Sequence, residues 1–131
     1  MNAGLMNGLS LAYIGDAYFE IMVRQYLLEK GITKVNELHK EAIKYTSGEA
    51  QARFIDEFFK DNILSELEIE IYKKGRNSAT SHRKNLSNAE YQKATGFEAL
   101  IGYLYESKDL ERLDYLFKLM NTIVESRWLY A

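Results

Sequence analysis

Cysteine and proline are both absent from this sequence of 131 residues. Without cysteine, the chain can form no disulfide, no thiolate metal site and no cysteine nucleophile. A reducing compartment suits this composition, and we expect the protein in the cytoplasm. Without proline, no residue interrupts a helix by removing a backbone hydrogen-bond donor.

Long apolar runs are also lacking. Charged residues break each apolar stretch well before the roughly 20 residues that a membrane span requires. The first residues show no charged flank followed by an apolar core, so we expect neither a targeting segment nor a membrane partner. Positive charge is not in excess, because 17 Lys and Arg face 19 Asp and Glu. The overall charge therefore does not indicate a nucleic-acid partner.

Apolar residues, by contrast, are plentiful. They make up 47% of the chain, and they include ten Tyr and six Phe. This composition is too hydrophobic for a disordered chain and is enough for a packed core. Because one hydrophobic core commonly serves about 100 to 200 residues, we expect a single domain over residues 1–131.

The apolar residues recur at steps of three and four, which predicts an all-α fold of about six helices. Ser10, Ser47 and Asp109 are suitable N-caps, and Ser65 with Glu68 has the spacing of a capping box. Gly31 is a suitable end for the first helix. The pattern predicts helices over about 10–31, 33–45, 50–59, 65–74, 90–105 and 109–123.

One segment carries a local positive charge. Residues 73–89 contain no acid, and residues 75–88 combine turn formers with cations, which predicts a surface loop. The cations of this segment are Lys73, Lys74, Arg76, Arg83 and Lys84. A solvated loop is the simplest interpretation of this segment, and a phosphate-binding surface is the alternative.

Two acids stand among apolar residues of helical faces. Asp16 follows Gly15, and Glu98 lies two residues after Gly96. We expect both carboxylates to be partly buried and to need a cation, hydrogen bonds or a metal ion. Small residues near both acids would let the first and fifth helices cross closely and bring the acids together; they are Ala12, Gly15, Ala99 and Gly102.

Periodicity alone favours a more ordinary interpretation of these acids, as solvated or salt-bridged residues of amphipathic helices. We expect Glu20 to form a salt bridge with Arg24, because Arg24 follows it by one helical turn. We therefore leave Glu20 outside the candidate site.

The residues around the acids resemble the ribonuclease III family. Tyr-Ile-Gly-Asp-Ala in the first helix is similar to the family signature, and Phe-Glu-Ala-Leu-Ile-Gly-Tyr-Leu-Tyr is similar to its second acidic helix. Lys-Lys-Gly-Arg-Asn between them resembles the Mini-III branch, whose members consist of the catalytic domain alone. The resemblance covers residues from about 9 to 124.

The resemblance implies a magnesium-dependent endoribonuclease that cuts double-stranded RNA and leaves 5′-phosphate and 3′-hydroxyl ends. Asp16 and Glu98 would be the catalytic metal ligands, with manganese as a substitute ion. Ala12 and Thr95 occupy two positions where the family typically has acids, which leaves the number of metal ions open. The Thr95 hydroxyl could still hold a metal-bound water or contact RNA.

The resemblance also implies a symmetric homodimer, with two active sites that cut both strands of one duplex. We expect RNA phosphates at Lys73, Lys74, Arg76, Asn77, Arg83 and Lys84, because duplex RNA is recognised mainly through shape and backbone. With no separate RNA-binding domain, selection would depend on the dimer surface, the basic loop or a ribosomal-protein helper. Maturation of precursor 23S ribosomal RNA is the implied role.

Two alternatives belong to other functional classes. A non-catalytic ribonuclease III-like domain would bind structured RNA or ribosomal components without cutting, and Ala12 and Thr95 would mark a decayed site. Retention of Asp16 and Glu98 argues against that alternative. A helical protein-interaction module would have no affinity for RNA.

Overall fold

The computed structural model describes residues 2–79 and 88–130, with side chains as far as residue 126. Over these ranges the chain forms a short 3-10 helix, Ala3–Leu5, and six α-helices, with no strand. The helices are α1 (Gly8–Glu29), α2 (Val35–Thr46), α3 (Gly48–Lys60), α4 (Glu66–Ser78), α5 (Asn88–Glu106) and α6 (Leu110–Tyr130). The predicted all-α fold of six helices is confirmed. None of the described helices is both long and apolar enough to span a membrane.

Helix α5 lies at the centre of the domain. Every residue from 94 to 102 is buried, and α5 contacts α1, α3, α4 and α6. Phe97 of α5 packs edge-on against Phe19 of α1 and also contacts Phe54 of α3, with ring centroids 5.0 and 5.9 Å away. Helix α5 is thus the helix on which α1, α3, α4 and α6 pack.

The local signals for helix ends are largely confirmed. The Ser47 hydroxyl accepts a hydrogen bond from the Ala50 amide, and the Asp109 carboxylate accepts one from the Arg112 amide. Ser65 and Glu68 form the predicted capping box at the start of α4. Gly31 adopts a φ of 92° directly after α1, a conformation that glycine adopts without strain.

Several predicted boundaries are wrong, including the end of α6, which continues to Tyr130 rather than ending near residue 123. Helix α1 begins at Gly8 rather than near Ser10, because the Asn7 side chain caps it by accepting the Ser10 amide at 2.8 Å. Helix α4 continues through Gly75 to Ser78, whereas the sequence predicted a loop from residue 75. A glycine inside a helix costs about 1 kcal/mol relative to alanine. Here that cost is offset by close packing of Gly75 on α5.

An ion pair fixes the N-terminal end of α4. Arg112 of α6 donates to both carboxylate oxygens of Glu68, at 2.8 and 2.7 Å, and to the carbonyl of Ile63. Burial alone would raise the pKa of Glu68, but the hydrogen bonds from Arg112 and Ser65 outweigh it and hold that pKa below its ordinary value of 4.5. The N-terminal end of α4 is therefore bound to α6, and the C-terminal half of α4 packs on α5.

Candidate active site

The crossing of α1 and α5 is a contact between backbones. A side-chain carbon added to Gly15 would overlap the carbonyl oxygen of Glu98, and one added to Gly102 would overlap the carbonyl oxygen of Leu11. Glycine at both positions is what allows this approach. The close crossing that the small residues predicted is thus confirmed.

The two predicted acids lie at this crossing. Glu98 contributes its own backbone to the contact, and Asp16 directly follows Gly15. Glu98 is buried, with 5% of its surface exposed, as the sequence predicted. Asp16 is exposed, so its predicted partial burial is wrong. Successive residues of a helix are about 100° apart, and Asp16 therefore lies outside the buried stripe that contains Gly15 and Phe19.

Glu20 pairs with Arg24 one turn later, at 3.3 Å between Glu20 Oε2 and Arg24 Nε. The sequence predicted this exposed pair, which keeps Glu20 occupied outside the candidate site. Among the side chains that the structure describes, no group of three or more His, Cys, Asp or Glu could hold a metal ion. The candidate donors at the crossing are the two predicted acids, Asp16 and Glu98.

Two carboxylates are sufficient for a hard divalent ion. Mg²⁺ prefers oxygen ligands, keeps several waters, and often takes one or two carboxylates together with substrate phosphates. Asp16 and Glu98 supply only oxygen donors, and the exposure of Asp16 leaves the crossing open to water and substrate. The residues present fit such an ion.

Ala12 and Thr95, at the two positions without an acid, are both buried. The Thr95 hydroxyl donates a hydrogen bond to the Tyr91 carbonyl, at 2.9 Å within α5. Its proton is therefore committed to the helix, and the Thr95 carbonyl lies against Gly75 of α4. Thr95 thus contributes to packing between α4 and α5 and supplies no anionic ligand.

Helix α4 approaches the same part of α5. A side-chain carbon added to Gly75 would lie 2.5 Å from Ala99 Cβ and 3.1 Å from the α-carbon of Gly96. One added to Gly96 would lie 2.6 Å from ring carbons of Tyr72. Glycines on both helices therefore place the C-terminal half of α4 beside the turn of α5 that carries Glu98.

The predicted basic residues of α4 differ in their surroundings. Lys73 is exposed, whereas the Lys74 ammonium donates to the Gly4 carbonyl at 3.2 Å. Arg76 Nε donates to Asn77 Oδ1 at 3.2 Å, and the Arg76 guanidinium lies over the Tyr72 ring. The other two predicted RNA contacts, Arg83 and Lys84, lie outside the described residues.

Tyr72, a buried residue in contact with Arg76, was missed by sequence reasoning. The available signal was its spacing, because Tyr72 precedes Arg76 by four residues and shares its helical face. The predicted end of α4 near residue 74 concealed that relationship, since Arg76 was expected in a loop.

Comparison with known proteins identifies the class of protein that this fold and site define. A family model described as "Ribonuclease III domain" matches residues 9–109. A crystal structure of a Fusobacterium nucleatum protein superimposes with a TM-score of 0.78 at 29% identity, covering 86% of this chain and 91% of that one. The fold is that of a ribonuclease III domain.

Relatives in two bacteria are more similar still, and both bear the name "Mini-ribonuclease 3". That of Acholeplasma laidlawii is 50% identical over 86% of this chain and 94% of its own length. That of Streptococcus pneumoniae is 47% identical over 88% of this chain and 91% of its own length. The chain belongs to the ribonuclease III family and, within it, to the Mini-ribonuclease 3 group.

Family membership establishes the activity at a general level. The protein is an endoribonuclease, and its substrate class is double-stranded RNA. The family also suggests dependence on a divalent metal ion.

Proposed function

We propose that Asp16 and Glu98 hold a Mg²⁺ ion at the crossing of α1 and α5 and that duplex RNA is cut there, with Mn²⁺ as a substitute ion. The observation that supports this proposal is the backbone contact between Glu98 and Gly15, the residue directly before Asp16. A bound ion would stabilise negative charge on the scissile phosphate and activate water as the nucleophile.

The two acids have different tasks in this proposal. Glu98 is buried on the central helix, so packing restricts its side chain and fixes one side of the site. Asp16 is exposed, so it meets the incoming RNA and water from the open side. Preorganisation of this kind lowers the reorganisation needed when charge develops in the transition state.

RNA phosphates would bind along the exposed edge of α4. Lys73 and Asn77 are exposed on that edge and Arg76 is half-buried beside them, one helical turn from Lys73. Lys74 supports the helix through Gly4, and we therefore expect a weaker direct contribution to RNA binding from it. We also propose Arg83 and Lys84 as phosphate contacts, because both side chains carry a positive charge.

A homodimer would present two such sites to one duplex. Its proposed interface lies on α1, where apolar side chains are exposed: Leu9, Tyr13 and Ile21. Tyr13 has 83% of its surface exposed, which is unusual for an aromatic residue in a small domain. Burial of these side chains against a second copy would remove them from water and leave Asp16, on the same helix, close to the interface.

The physiological substrate that we propose is precursor 23S ribosomal RNA. This proposal depends on likeness to the family and on no individual residue. A ribosomal protein that presents the RNA in a defined shape would assist selection, because contacts to a duplex backbone carry little sequence information.

One experiment tests the activity and separates it from the alternatives. The purified protein is incubated with a long RNA duplex in Mg²⁺ or in EDTA, and both binding and cleavage are measured. Cleavage with Mg²⁺ and none with EDTA is expected. Binding without cleavage in Mg²⁺ would favour the non-catalytic RNA-binding domain, and absence of binding would favour a protein-interaction module.

A further inference from the structure

Arg76 is held by two neighbours on its own helix. Its guanidinium carbon lies 5.7 Å from the centroid of the Tyr72 ring, and its Nε donates to Asn77 Oδ1 at 3.2 Å. A cation within about 6 Å of an aromatic centroid is attracted by the ring face. The side chain of Arg76 is therefore restricted before any RNA arrives.

The ring beneath Arg76 is buried and packed on two sides. Tyr72 has 3% of its surface exposed, and Phe59 of α3 packs edge-on against its ring at 5.3 Å. The same ring lies on the bare α-carbon of Gly96, where a side-chain carbon would come within 2.6 Å of it. Burial raises the pKa of Tyr72 above its ordinary value, so the phenol stays neutral while it supports the cation.

The backbone next to Arg76 packs against the part of α5 that carries Glu98. Gly75 packs on the turn of α5 from residue 95 to 99, which includes Glu98. The nearest atoms of α5 are the Ala99 methyl carbon and the backbone of Gly96 and Thr95, so no flexible side chain lies between the two helices at this point. The separation between the base of the Arg76 side chain and the α5 turn of Glu98 is therefore set by main-chain packing.

We propose that Tyr72 is a positioning residue, which orients the Arg76 guanidinium to bind a phosphate of the RNA duplex at a fixed separation from Asp16 and Glu98. This inference rests on the proposed site and adds a specific role for one buried aromatic residue. The planar guanidinium of arginine binds two phosphate oxygens at once, which an ammonium cannot do. Because Tyr72 and Asn77 already restrict it, Arg76 loses less conformational freedom on binding.

The bound group would be a phosphodiester of the duplex backbone. A guanidinium held over an aromatic ring presents its edge to an anion, and duplex RNA offers phosphates at regular intervals on its surface. Contact of this kind is independent of base sequence. It would fix the position of the strand relative to the acids, and it would not select the cleavage sequence.

The test is a double-mutant cycle on affinity for a long RNA duplex, measured in EDTA so that cleavage is not needed. Tyr72→Leu removes the aromatic ring, and Arg76→Gln removes the cation. We expect Tyr72→Leu to weaken binding roughly 3- to 10-fold in the wild-type background, the range of a cation–π contact. In the Arg76→Gln background, Tyr72→Leu should weaken RNA binding by less than about 2-fold.

Conservative variants separate positioning from folding. Tyr72→Phe keeps the ring and should restore most of the affinity lost in Tyr72→Leu. Phe59→Leu removes the ring that packs against Tyr72, and because Tyr72 still lies on Gly96, this variant should weaken binding less than Tyr72→Leu does. Arg76→Lys leaves the core intact but removes the planar group, so it should weaken binding by at least about 3-fold.

Steady-state cleavage in Mg²⁺ gives a second readout. Tyr72→Leu should raise KM in proportion to the loss of affinity and leave kcat within about 2-fold, because Tyr72 contacts no reacting group. Equal losses from Tyr72→Leu in both Arg76 backgrounds would overturn the inference, as would wild-type affinity in Arg76→Lys. The affinity cycle does not depend on cleavage, so failure of the catalytic proposal would be visible separately, as absence of Mg²⁺-dependent cutting.

Discussion

The backbone of Gly15 packs directly against the carbonyl group of Glu98. Asp16, the first predicted acid, directly follows Gly15 in α1. It therefore lies next to the point where α1 meets α5, the helix that carries the second acid, Glu98. The site is thus organised by main-chain packing of α1 on α5. A similar contact occurs where Gly75 of α4 packs on Gly96 of α5. Helices α1 and α4 therefore both pack closely on the turn of α5 that includes Glu98.

A methyl group at Gly15 should therefore be costly. Gly15→Ala forces its new side-chain carbon into the backbone of Glu98, which cannot move aside as a flexible side chain could. We expect the free energy of unfolding to fall by about 2 to 3 kcal/mol, at the upper end of overpacking costs, and cleavage to fall with it. Denaturant unfolding measures the first effect.

Gly4→Ala is the matched control, because its new carbon would lie 3.4 Å from Asn2 Oδ1, an ordinary contact. Its stability should remain within about 0.5 kcal/mol of the wild type. A Gly15→Ala variant as stable as Gly4→Ala would argue against the close crossing.

The pair between Arg112 and Glu68 predicts a dependence of stability on pH. The folded-state pKa of Glu68 lies below its ordinary value of 4.5, because the hydrogen bonds from Arg112 and Ser65 outweigh the effect of burial. The pair therefore contributes fully above about pH 5.5 and loses its contribution as the pH falls through that lowered pKa. Glu68→Gln should be less stable than the wild type at pH 7, with the difference shrinking below about pH 4.

Replacing Arg112, the other partner of this pair, should lower the free energy of unfolding at neutral pH more than replacing Glu68 does. Arg112→Met leaves a largely buried carboxylate without its cation, and should cost about 2 to 4 kcal/mol. Lys118→Met breaks an exposed pair with Asp114 and should cost less than about 1 kcal/mol. Equal unfolding free energies for the two variants would show that Arg112 does not anchor α4.

Sequence alone could predict the features that depend on local chemistry. Six helices follow from apolar spacing, and Ser47, Asp109 and the Ser65–Glu68 box mark helix starts because they satisfy nearby backbone donors. The small residues around Asp16 and Glu98 also predicted the crossing of α1 and α5. The helix and cap signals lie within a few residues of the structures that they specify, whereas the crossing joins segments that are distant in the sequence.

Apart from that crossing, features that depend on distant contacts could not be predicted. Gly75 has the appearance of a helix terminator, and only its packing on α5 explains why α4 continues to Ser78. Asp16 has apolar neighbours in the sequence, but the rotation of α1 turns it away from the buried stripe. The support of Arg76 by Tyr72 was likewise hidden by the mistaken end of α4.

Salt dependence should distinguish the two adjacent lysines of α4. Lys73 is exposed, whereas the Lys74 ammonium is bound to the Gly4 carbonyl. Lys73→Ala should reduce the slope of log Kd against log salt by about one, because one phosphate contact is lost. Lys74→Ala removes the same formal charge and should change the slope less. Identical slopes for the two variants would contradict the proposed phosphate contacts along α4.

The exposed apolar side chains of α1 predict a dimer that a single charge disrupts. Tyr13→Glu introduces a carboxylate into the proposed interface while leaving the core untouched, because Tyr13 is exposed in the single chain. We expect a dimer for the wild type and a folded monomer for the variant in sedimentation equilibrium. Tyr115→Glu, an exposed tyrosine on α6, should remain dimeric. A dimeric Tyr13→Glu would place the interface elsewhere.

The catalytic assignment is tested most directly by the rate at which acid variants cut a long RNA duplex in Mg²⁺. Asp16→Asn and Glu98→Gln keep size and remove charge, and Glu20→Gln is the matched control, since Glu20 pairs with Arg24 outside the site. Circular dichroism and duplex affinity in EDTA establish that each variant is folded and binds RNA.

We expect Asp16→Asn and Glu98→Gln to lose at least about 100-fold in cleavage rate and Glu20→Gln to retain the wild-type rate. Wild-type cleavage by a folded Asp16→Asn or Glu98→Gln protein would contradict the assignment of these two acids as the metal-binding site.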